Sequence, residues 1–306
     1  MNSTVITLTQ NDGYKTKLYY FEATGNKTRG SILILHGMAE HHSRYLDFIS
    51  ALINEHFDVY IYDHRGHGTD KTPSELGYVS EKNGNLLLVE DARHVCRYIK
   101  ENRPDQKLAV FGHSMGSLIL RCLLPIYDEM DCAIISSSTM PPVAVSKAGV
   151  FLAGVLSLLR GPKTRSPFLQ KVMFGGKAYT SLCTRTTYDW LTRNNDIIDN
   201  YIRDSYCGFI CSTSFYGDLA KLSAEAASKK QIAKTRKDLP ILFLAGGNDP
   251  VGGYSSQIIH LQQLFSKLGF FKTELTIYPE DRHELLNELN ADEVYRDIFA
   301  WLQTNL

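Results

Sequence analysis

The sequence predicts an α/β fold: a mostly parallel central sheet with helices on both faces and a helical segment inserted between two strands. Three observations support this prediction. Short continuous apolar runs, typical of strands buried on both faces of a sheet, alternate with amphipathic stretches of helical spacing. A Gly-x-Ser-x-Gly motif joins one such run to a helix. Residues 139–238 then interrupt the alternation, because they contain no clear strand signal.

Composition places the chain among ordinary globular proteins and disfavours several kinds of partner. Of its 306 residues, 43% are hydrophobic and 22% are charged, which is enough for a large core. The 33 basic and 33 acidic residues leave no net charge, whereas a nucleic-acid partner needs a basic excess. The six cysteines are scattered and match no zinc spacing, so we expect reduced thiols, no metal and no cofactor.

The N-terminal residues and the length of the apolar runs predict a cytoplasmic protein. Residues 1–13 lack the basic and apolar regions of a signal peptide. The apolar runs fall short of the roughly 18 residues that a membrane-spanning helix needs. We therefore expect neither a signal peptide nor a membrane span.

The first half of the chain alternates strands with helices. Polar and apolar residues alternate on both sides of Asn11, Asp12 and Gly13, which predicts a β-hairpin at an edge of the sheet. Continuous apolar runs predict the buried strands that follow, and helical spacing predicts the helices between them. We expect strands at 3–9, 15–22, 31–35, 57–62 and 131–135, a strand running into Gly112, and helices at 45–54, 86–101 and after the serine motif.

The charged, glycine-rich loop at 63–68 allows two interpretations. Its histidines could bind a metal, but their spacing matches no zinc pattern. A structural role, in which Arg65 pairs with Asp63, fits these residues better.

Residues 112–116, Gly-His-Ser-Met-Gly, form the motif on which the predicted site depends. A sharp strand-to-helix turn would lift the hydroxyl of Ser114 clear of the sheet. Glycine two residues before and two residues after the serine avoids a clashing Cβ. The N–H of Met115, at the helix N-terminus, would then point to where an oxyanion develops.

The end of the strand at 31–35 offers a second hydrogen-bond donor. His36, Gly37 and Met38 follow this strand directly. They form either an ordinary strand-to-loop turn or a loop that presents the N–H of Met38 to an oxyanion. We favour the second interpretation, because a serine hydrolase needs two such N–H groups.

The insertion (residues 139–238) contains helix patterns but no strand pattern; the predicted helices are 143–160, 167–173, 187–191, 196–204 and 213–228. Residues 149–159 are apolar nearly all round, so they form either a buried helix or a lid helix that exposes apolar surface to lipid. The basic run 228–237 indicates a solvated helix face and linker; the alternative is attraction to anionic headgroups.

Two residues in the last third complete a constellation with Ser114. We expect strands at 240–245 and 275–278 and a closing helix at 294–302. Asp249 and His283 follow these two strands, so they should lie at the same sheet edge as the serine. A serine hydroxyl needs a base, and the base needs an orienting partner. The chain order Ser114, Asp249, His283 is that of α/β-hydrolases.

Four segments together resemble the monoacylglycerol lipase and lysophospholipase group of α/β-hydrolases, which includes serine aminopeptidase-like hydrolases. H-G-M-A-E-H-H-S-R-Y at 36–45 resembles the group's H-G-x-x-E-H-x-x-R-Y opening. D-H-R-G-H-G at 63–68, G-H-S-M-G at 112–116 and G-G-N-D-P-V at 246–251 match as well, as does His283. The resemblance covers an α/β-hydrolase core at 1–138 and 239–306, with the insertion as a helical cap that matches no motif.

The resemblance implies a serine carboxylic-ester hydrolase that works through an acyl-enzyme. Ser114 would attack the ester carbonyl, His283 would move the proton, and Asp249 would orient the imidazole. Met38 and Met115 would donate their backbone N–H groups to the oxyanion.

The implied substrate is a single-chain acyl lipid such as a monoacylglycerol or a lysophospholipid, and members of the group often meet membranes through the cap. We expect His36, Gly37 and His113 to contact this substrate. A short-chain carboxylesterase is one alternative. An aminopeptidase is another, and it would need a carboxylate in the insertion to hold the substrate's amine. A non-catalytic binding protein with this fold would typically lack one member of the Ser–His–Asp set, and all three are present.

Overall fold

The computed structural model describes residues 3–25 and 27–306. The predicted start of the core at residue 1, and position 26, lie outside the described residues. The strands are β1 Thr4–Thr9, β2 Lys15–Phe21, β3 Gly30–Leu35, β4 Phe57–Tyr62, β5 Leu108–His113, β6 Cys132–Ser136, β7 Ile241–Gly246 and β8 Thr273–Tyr278. They form one sheet in the order β1-β2-β4-β3-β5-β6-β7-β8. Only the pairs β1–β2 and β2–β4 in this described sheet are antiparallel, so the mostly parallel sheet is confirmed.

Helices cover both faces of the sheet. They are α1 Leu46–Asn54, α2 Gly84–Asn102, α3 Met115–Leu123, α4 Val143–Arg160, α5 Pro167–Phe174, α6 Lys177–Thr180, α7 Asn195–Arg203, α8 Thr213–Ala226, α9 Lys229–Ile232, α10 Ser256–Lys267 and α11 Ala291–Asn305. Short 3₁₀ turns occupy His42–Tyr45 and Leu285–Asn287. Helices α4 to α9 all lie between β6 and β7, where the insertion was expected.

The core has two layers because the central strands bury both faces. Every residue of β3, β4, β5, β6 and β7 is buried. Along β3, Leu33 and Leu35 pack in the layer that contains α2, α3 and α8. Ile32 and Ile34 point the other way, into the layer that contains α1 and α11. This double burial explains why these strands are continuous apolar runs in the sequence.

Residues 187–191 do not form the predicted helix. The carboxylate of Asp189 accepts the backbone N–H of Arg185 at 2.6 Å and that of Thr186 at 3.0 Å. Such a side-chain-closed turn satisfies backbone groups locally and competes with a helix.

Arg65 does not pair with Asp63 as we predicted. Its guanidinium contacts the buried carboxylate of Asp91 on α2 at 2.6 Å, and it also reaches Asp12 in the β1–β2 turn at 2.6 Å. Asp63 instead binds the ring of His42 at 2.7 Å. The loop therefore ties the edge hairpin to α2, which is the structural role expected for it, through different partners.

Arg121 on α3 binds the insertion at two places, its first residue and the end of α8. Its buried guanidinium donates to the carbonyl of Thr139 at 2.7 Å and to the carbonyl of Ala226 at 2.7 Å. One residue opens the insertion and the other ends α8. Because α3 also begins at the serine motif, the insertion is anchored directly behind Ser114.

Helix α4 is mostly exposed, so of the two interpretations of residues 149–159 the buried helix is wrong. Only Ser146 and Ala153 are buried along it, whereas Phe151 is 74% exposed and Leu158 is 87% exposed. We also expected no run long enough to cross a membrane. Among the described helices, α4 is the one with sufficient length and apolar composition, because it extends beyond the apolar run at both ends.

Candidate active site

Ser114 occupies a strained turn between β5 and α3. Its backbone has φ +52° and ψ −116°, a conformation that a non-glycine residue rarely adopts. The turn requires both motif glycines. A Cβ on Gly112 would lie 2.6 Å from the carbonyl oxygen of Gly116, and a Cβ on Gly116 would collide with the carbonyl of Leu35. The strand and helix therefore pack closely around the serine, as the motif predicts.

The structure brings Ser114, His283 and Asp249 into one hydrogen-bonded chain. Nε2 of His283 lies 2.9 Å from Oγ of Ser114, and its Nδ1 lies 3.0 Å from Oδ2 of Asp249. The other carboxylate oxygen of Asp249 accepts the N–H of Val251 at 2.8 Å, which fixes its orientation. In this arrangement the imidazole can take the serine proton and the carboxylate can hold the ring.

The environment of His283 raises the pKa of its imidazole although the ring is buried. Burial alone lowers the pKa of this imidazole, because a charged ring loses water. The carboxylate of Asp249 outweighs that effect, and Glu284 and Glu40 add to it, so the pKa of His283 lies above its ordinary value. The neighbouring ring of His113, 4.9 Å away, behaves oppositely: burial and the nearby His283 lower its pKa to about 4.

Two residues beside Ser114 in the cavity wall, Met38 and Met115, have backbone N–H groups that are free to donate. Met115 begins α3, so its N–H has no acceptor within the helix. The N–H of Met38 has no acceptor among the described residues. Both residues line the cavity that contains Ser114. These are the positions that the sequence predicted for oxyanion donors.

His36 lies behind the cavity wall, which corrects the expectation that it contacts substrate. Its side chain is fully buried and does not line the cavity, whereas Gly37 and His113 do. Nδ1 of His36 donates to the carbonyl of Gly37 at 2.8 Å, and Nε2 accepts the N–H of His64 at 3.1 Å. The carbonyl of Gly37 and the N–H of Met38 belong to one peptide unit, so His36 orients that donor.

Two further histidines support the same loop in neutral form. His64 and His67 are fully buried against His36. Burial and the neighbouring His36 lower the pKa of His64 well below its ordinary value and that of His67 to about 3. Neutral His67 can therefore accept a hydrogen bond, and its Nε2 takes the N–H of Ala39 at 3.1 Å.

A buried ionic network below the loop was not assigned from the sequence. Oε1 of Glu40 accepts the N–H of Gly37 at 2.5 Å and the hydroxyl of Tyr45 at 2.8 Å. Arg44 bridges Glu40 at 2.8 Å and Glu284 at 2.7 Å. Burial opposes charge on both carboxylates, but Arg44 keeps the pKa of each below its ordinary value. The sequence signal for this network was the presence of charged residues beside the site: Glu40 and Arg44 in the segment after β3, and Glu284 directly after His283.

The insertion encloses a cavity of about 890 Å³ over these groups. That volume lies in the upper part of the range of small-molecule sites. Its apolar walls include Leu118, Leu152, Val172, Phe209, Leu219 and Val251. Trp190 of the insertion faces the catalytic-type imidazole, with its ring centroid 5.3 Å from that of His283.

One described group resembles a metal site in composition only. His41, Asp204 and Cys207 place one ligand atom each within 4.8 Å of one another. Nε2 of His41 already binds Asp204 at 2.8 Å. Burial raises the pKa of the Cys207 thiol, and a protonated thiol is a poor metal ligand. The three residues fit a hydrogen-bonded contact between core and insertion better than a metal centre.

Comparison with known proteins identifies the family. The chain matches the family model described as serine aminopeptidase, S33, over residues 26–290. It is 25% identical over 296 residues to the monoglyceride lipase of Mus musculus, covering 95% of this chain and 88% of that protein. The resemblance found in the motifs is thereby confirmed.

Solved structures share the fold over nearly the whole chain. A thermostable carboxyl esterase from Bacillus coagulans, in complex with glycerol, has a TM-score of 0.91 at 22% identity, covering 100% of this chain and 99% of that one. A soluble variant of the monoglyceride lipase from Saccharomyces cerevisiae has a TM-score of 0.78 at 19% identity, with coverages of 100% and 96%. At these identities the likeness establishes the fold alone. The family match is what decides, and this chain belongs to the serine aminopeptidase (S33) family of α/β-hydrolases.

Proposed function

We propose that this protein is a serine carboxylic-ester hydrolase in which Ser114 is the nucleophile. The observation that carries the proposal is the unbroken chain from Ser114 through His283 to Asp249, with two uncommitted N–H groups beside the serine. A Ser–His–Asp chain activates a hydroxyl that is otherwise a weak nucleophile. Family membership and the named lipase and esterase relatives support ester hydrolysis.

The mechanism has two halves that share one imidazole. Oγ of Ser114 bonds to the ester carbonyl carbon while Nε2 of His283 takes its proton, and the negative oxygen receives the N–H groups of Met38 and Met115. The alcohol leaves with the proton from His283, so an acyl-enzyme remains. Water then gives a proton to His283 and attacks the acyl carbon. Ser114 recovers its proton as the carboxylic acid departs.

The cavity supports a single-chain acyl lipid, such as a monoacylglycerol or a lysophospholipid, as the substrate. Its apolar walls can hold a hydrocarbon chain, and burial of each methylene contributes about 0.8 kcal/mol. The mouse and yeast relatives are named monoglyceride lipases, which supports the same class. A short-chain carboxylesterase is the second candidate, supported by the Bacillus coagulans esterase.

The aminopeptidase alternative receives no support from the cavity. The carboxylates that line it in the described chain are Glu40 and Glu284, and both are paired with Arg44. Two acidic side chains of the insertion have partners elsewhere: Asp189 closes a turn, and Asp204 binds His41. No uncommitted carboxylate in the described cavity wall remains to hold a substrate's amine.

We further propose that the insertion is a cap that docks on lipid surfaces through α4. One side of this helix lines the cavity with Gly149 and Leu152, so it belongs to the folded core of the insertion. The other side exposes Phe151, Leu158 and Leu159, by 74%, 87% and 74%. Exposed apolar patches of this kind mark interaction sites. A helix with one face committed to the cavity suits contact with a membrane surface better than crossing it.

The first prediction concerns the reaction and its chain-length preference. Purified protein should hydrolyse acyl esters from about two to sixteen carbons faster as the chain grows, because each buried methylene adds binding energy. Ser114→Ala should lower kcat by at least about 10³-fold at every length. Rates that fall beyond about four carbons would favour the short-chain esterase. Absent turnover by the wild type would contradict the proposed reaction.

The second prediction concerns pH. His283 acts as a base only when neutral, and Asp249 raises its pKa, so kcat/KM should rise with pH through an apparent pKa above 6.5. A non-ionisable ester makes the enzyme the only titrating component. An inflection at or below the ordinary histidine value would contradict the assignment of His283 as the base.

The third prediction concerns the exposed face of α4. Replacing Leu158 and Leu159 together with serine should reduce sedimentation with phosphatidylcholine vesicles by at least about tenfold, because two exposed leucines lose their apolar burial. Turnover of a soluble short ester should not change. Phe271→Ser is the matched control. Phe271 is 71% exposed and precedes β8, so it lies at the amino ends of the parallel strands, whereas the active-site residues follow their carboxyl ends. Equal vesicle binding by all three proteins would refute the docking face.

A further inference from the structure

Ala39, directly after the Met38 donor, has a backbone conformation that needs external support. Its φ is +55°, in the left-handed region that residues with a Cβ rarely occupy. The residue is buried, and its peptide groups are held on both sides. Its N–H donates to Nε2 of His67 at 3.1 Å. Its carbonyl accepts two hydrogen bonds from the insertion, from the N–H of Gly208 at 2.9 Å and the hydroxyl of Tyr201 at 3.1 Å.

The two donors to this carbonyl are themselves fixed. The ring of Tyr201 lies 4.8 Å below the guanidinium of Arg44. The hydroxyl of Tyr188 donates to the carbonyl of Gly208 at 3.2 Å. Gly208 has φ +63°, and a Cβ there would lie 2.8 Å from the Tyr188 hydroxyl and 3.1 Å from the Tyr201 ring. Only glycine therefore fits this contact without displacing a tyrosine.

Core and insertion also meet one residue pair further along. Nε2 of His41 binds Oδ2 of Asp204 at 2.8 Å. His41 lies two residues after Ala39, and Asp204 lies between Tyr201 and Gly208. The segment 201–208 thus makes three hydrogen bonds with residues 39–41. The clamp (residues 201–208) belongs to the insertion, whereas the loop it holds carries Met38.

We propose that Tyr201 and Gly208 are positioning residues through which the insertion holds the oxyanion-hole loop in place. His36 fixes the carbonyl side of the Met38 peptide, and the clamp fixes the next residue. Loss of the clamp would let Ala39 leave the left-handed region, and the loop that carries the Met38 N–H would shift with it. The inference rests on the proposed function, because it assumes an oxyanion at Ser114.

Tyr201→Phe tests the clamp, because phenylalanine keeps the ring in the cavity wall and removes only the hydroxyl. We expect kcat for a soluble short ester to fall about tenfold, with KM within about twofold, since the lost bond acts on the transition state. Affinity for a trifluoromethyl ketone, which forms a tetrahedral adduct, should fall by a similar factor. Tyr295→Phe is the matched control: its hydroxyl donates to the carbonyl of Leu286 at 2.9 Å and touches neither clamp nor loop.

Gly208→Ala provides a second variant that acts on the same carbonyl by a different route. It should reduce kcat more than Tyr201→Phe does, because the new Cβ displaces both tyrosines. If the wild type hydrolyses esters and Tyr201→Phe has the same kcat, the positioning role of the clamp is wrong and the proposed function still stands. Equal losses of kcat in Tyr201→Phe and Tyr295→Phe, tracking lower thermal stability, would also overturn the positioning role. A wild type without ester turnover would instead contradict the proposed function itself.

Discussion

One uncommitted peptide N–H, that of Met38, is the feature on which the rest of the site depends. Around it the backbone polar groups are bound: His36 holds the carbonyl of Gly37, Glu40 holds the N–H of Gly37, and His67 holds the N–H of Ala39. A donor fixed in this way costs no reorganisation when negative charge forms, which is the main source of electrostatic catalysis. The buried histidines suit this task, because neutral imidazole rings supply hydrogen-bond acceptors and donors without adding charge.

Charge is concentrated where it assists the imidazole. Two carboxylates, Glu40 and Glu284, share a single guanidinium, so the buried network carries one net negative charge. Together with Asp249 it raises the pKa of His283, and it would stabilise the imidazolium formed as Ser114 attacks. Burial opposes this and keeps the neighbouring His113 neutral. Local environment thus raises the pKa of His283 and lowers the pKa of the other buried histidines of the site.

The sheet and the three polar side chains at its edge were predictable, whereas their support was not. Strands buried on both faces leave continuous apolar runs, and parallel strands bring the residues after them to one edge, so Ser114, Asp249 and His283 could be grouped in advance. The pairing of Arg44 with Glu284 spans 240 positions and leaves no local pattern. Residues 149–159 are apolar nearly all round, so the sequence could not show which side of α4 is exposed. The packing of α4 on α8 decides this. The domain limits at 138 and 239 stay a prediction.

The most direct test of a preformed oxyanion hole is a crystal structure of the protein after reaction with an alkyl fluorophosphonate. We expect phosphorus bonded to Oγ of Ser114, with a phosphonyl oxygen within about 3.1 Å of the backbone nitrogens of both Met38 and Met115. Ala39 should keep its left-handed conformation and its contacts with Tyr201 and Gly208. A phosphonyl oxygen directed away from Met38, or a loop rearranged relative to the free protein, would show that the oxyanion hole is not preformed.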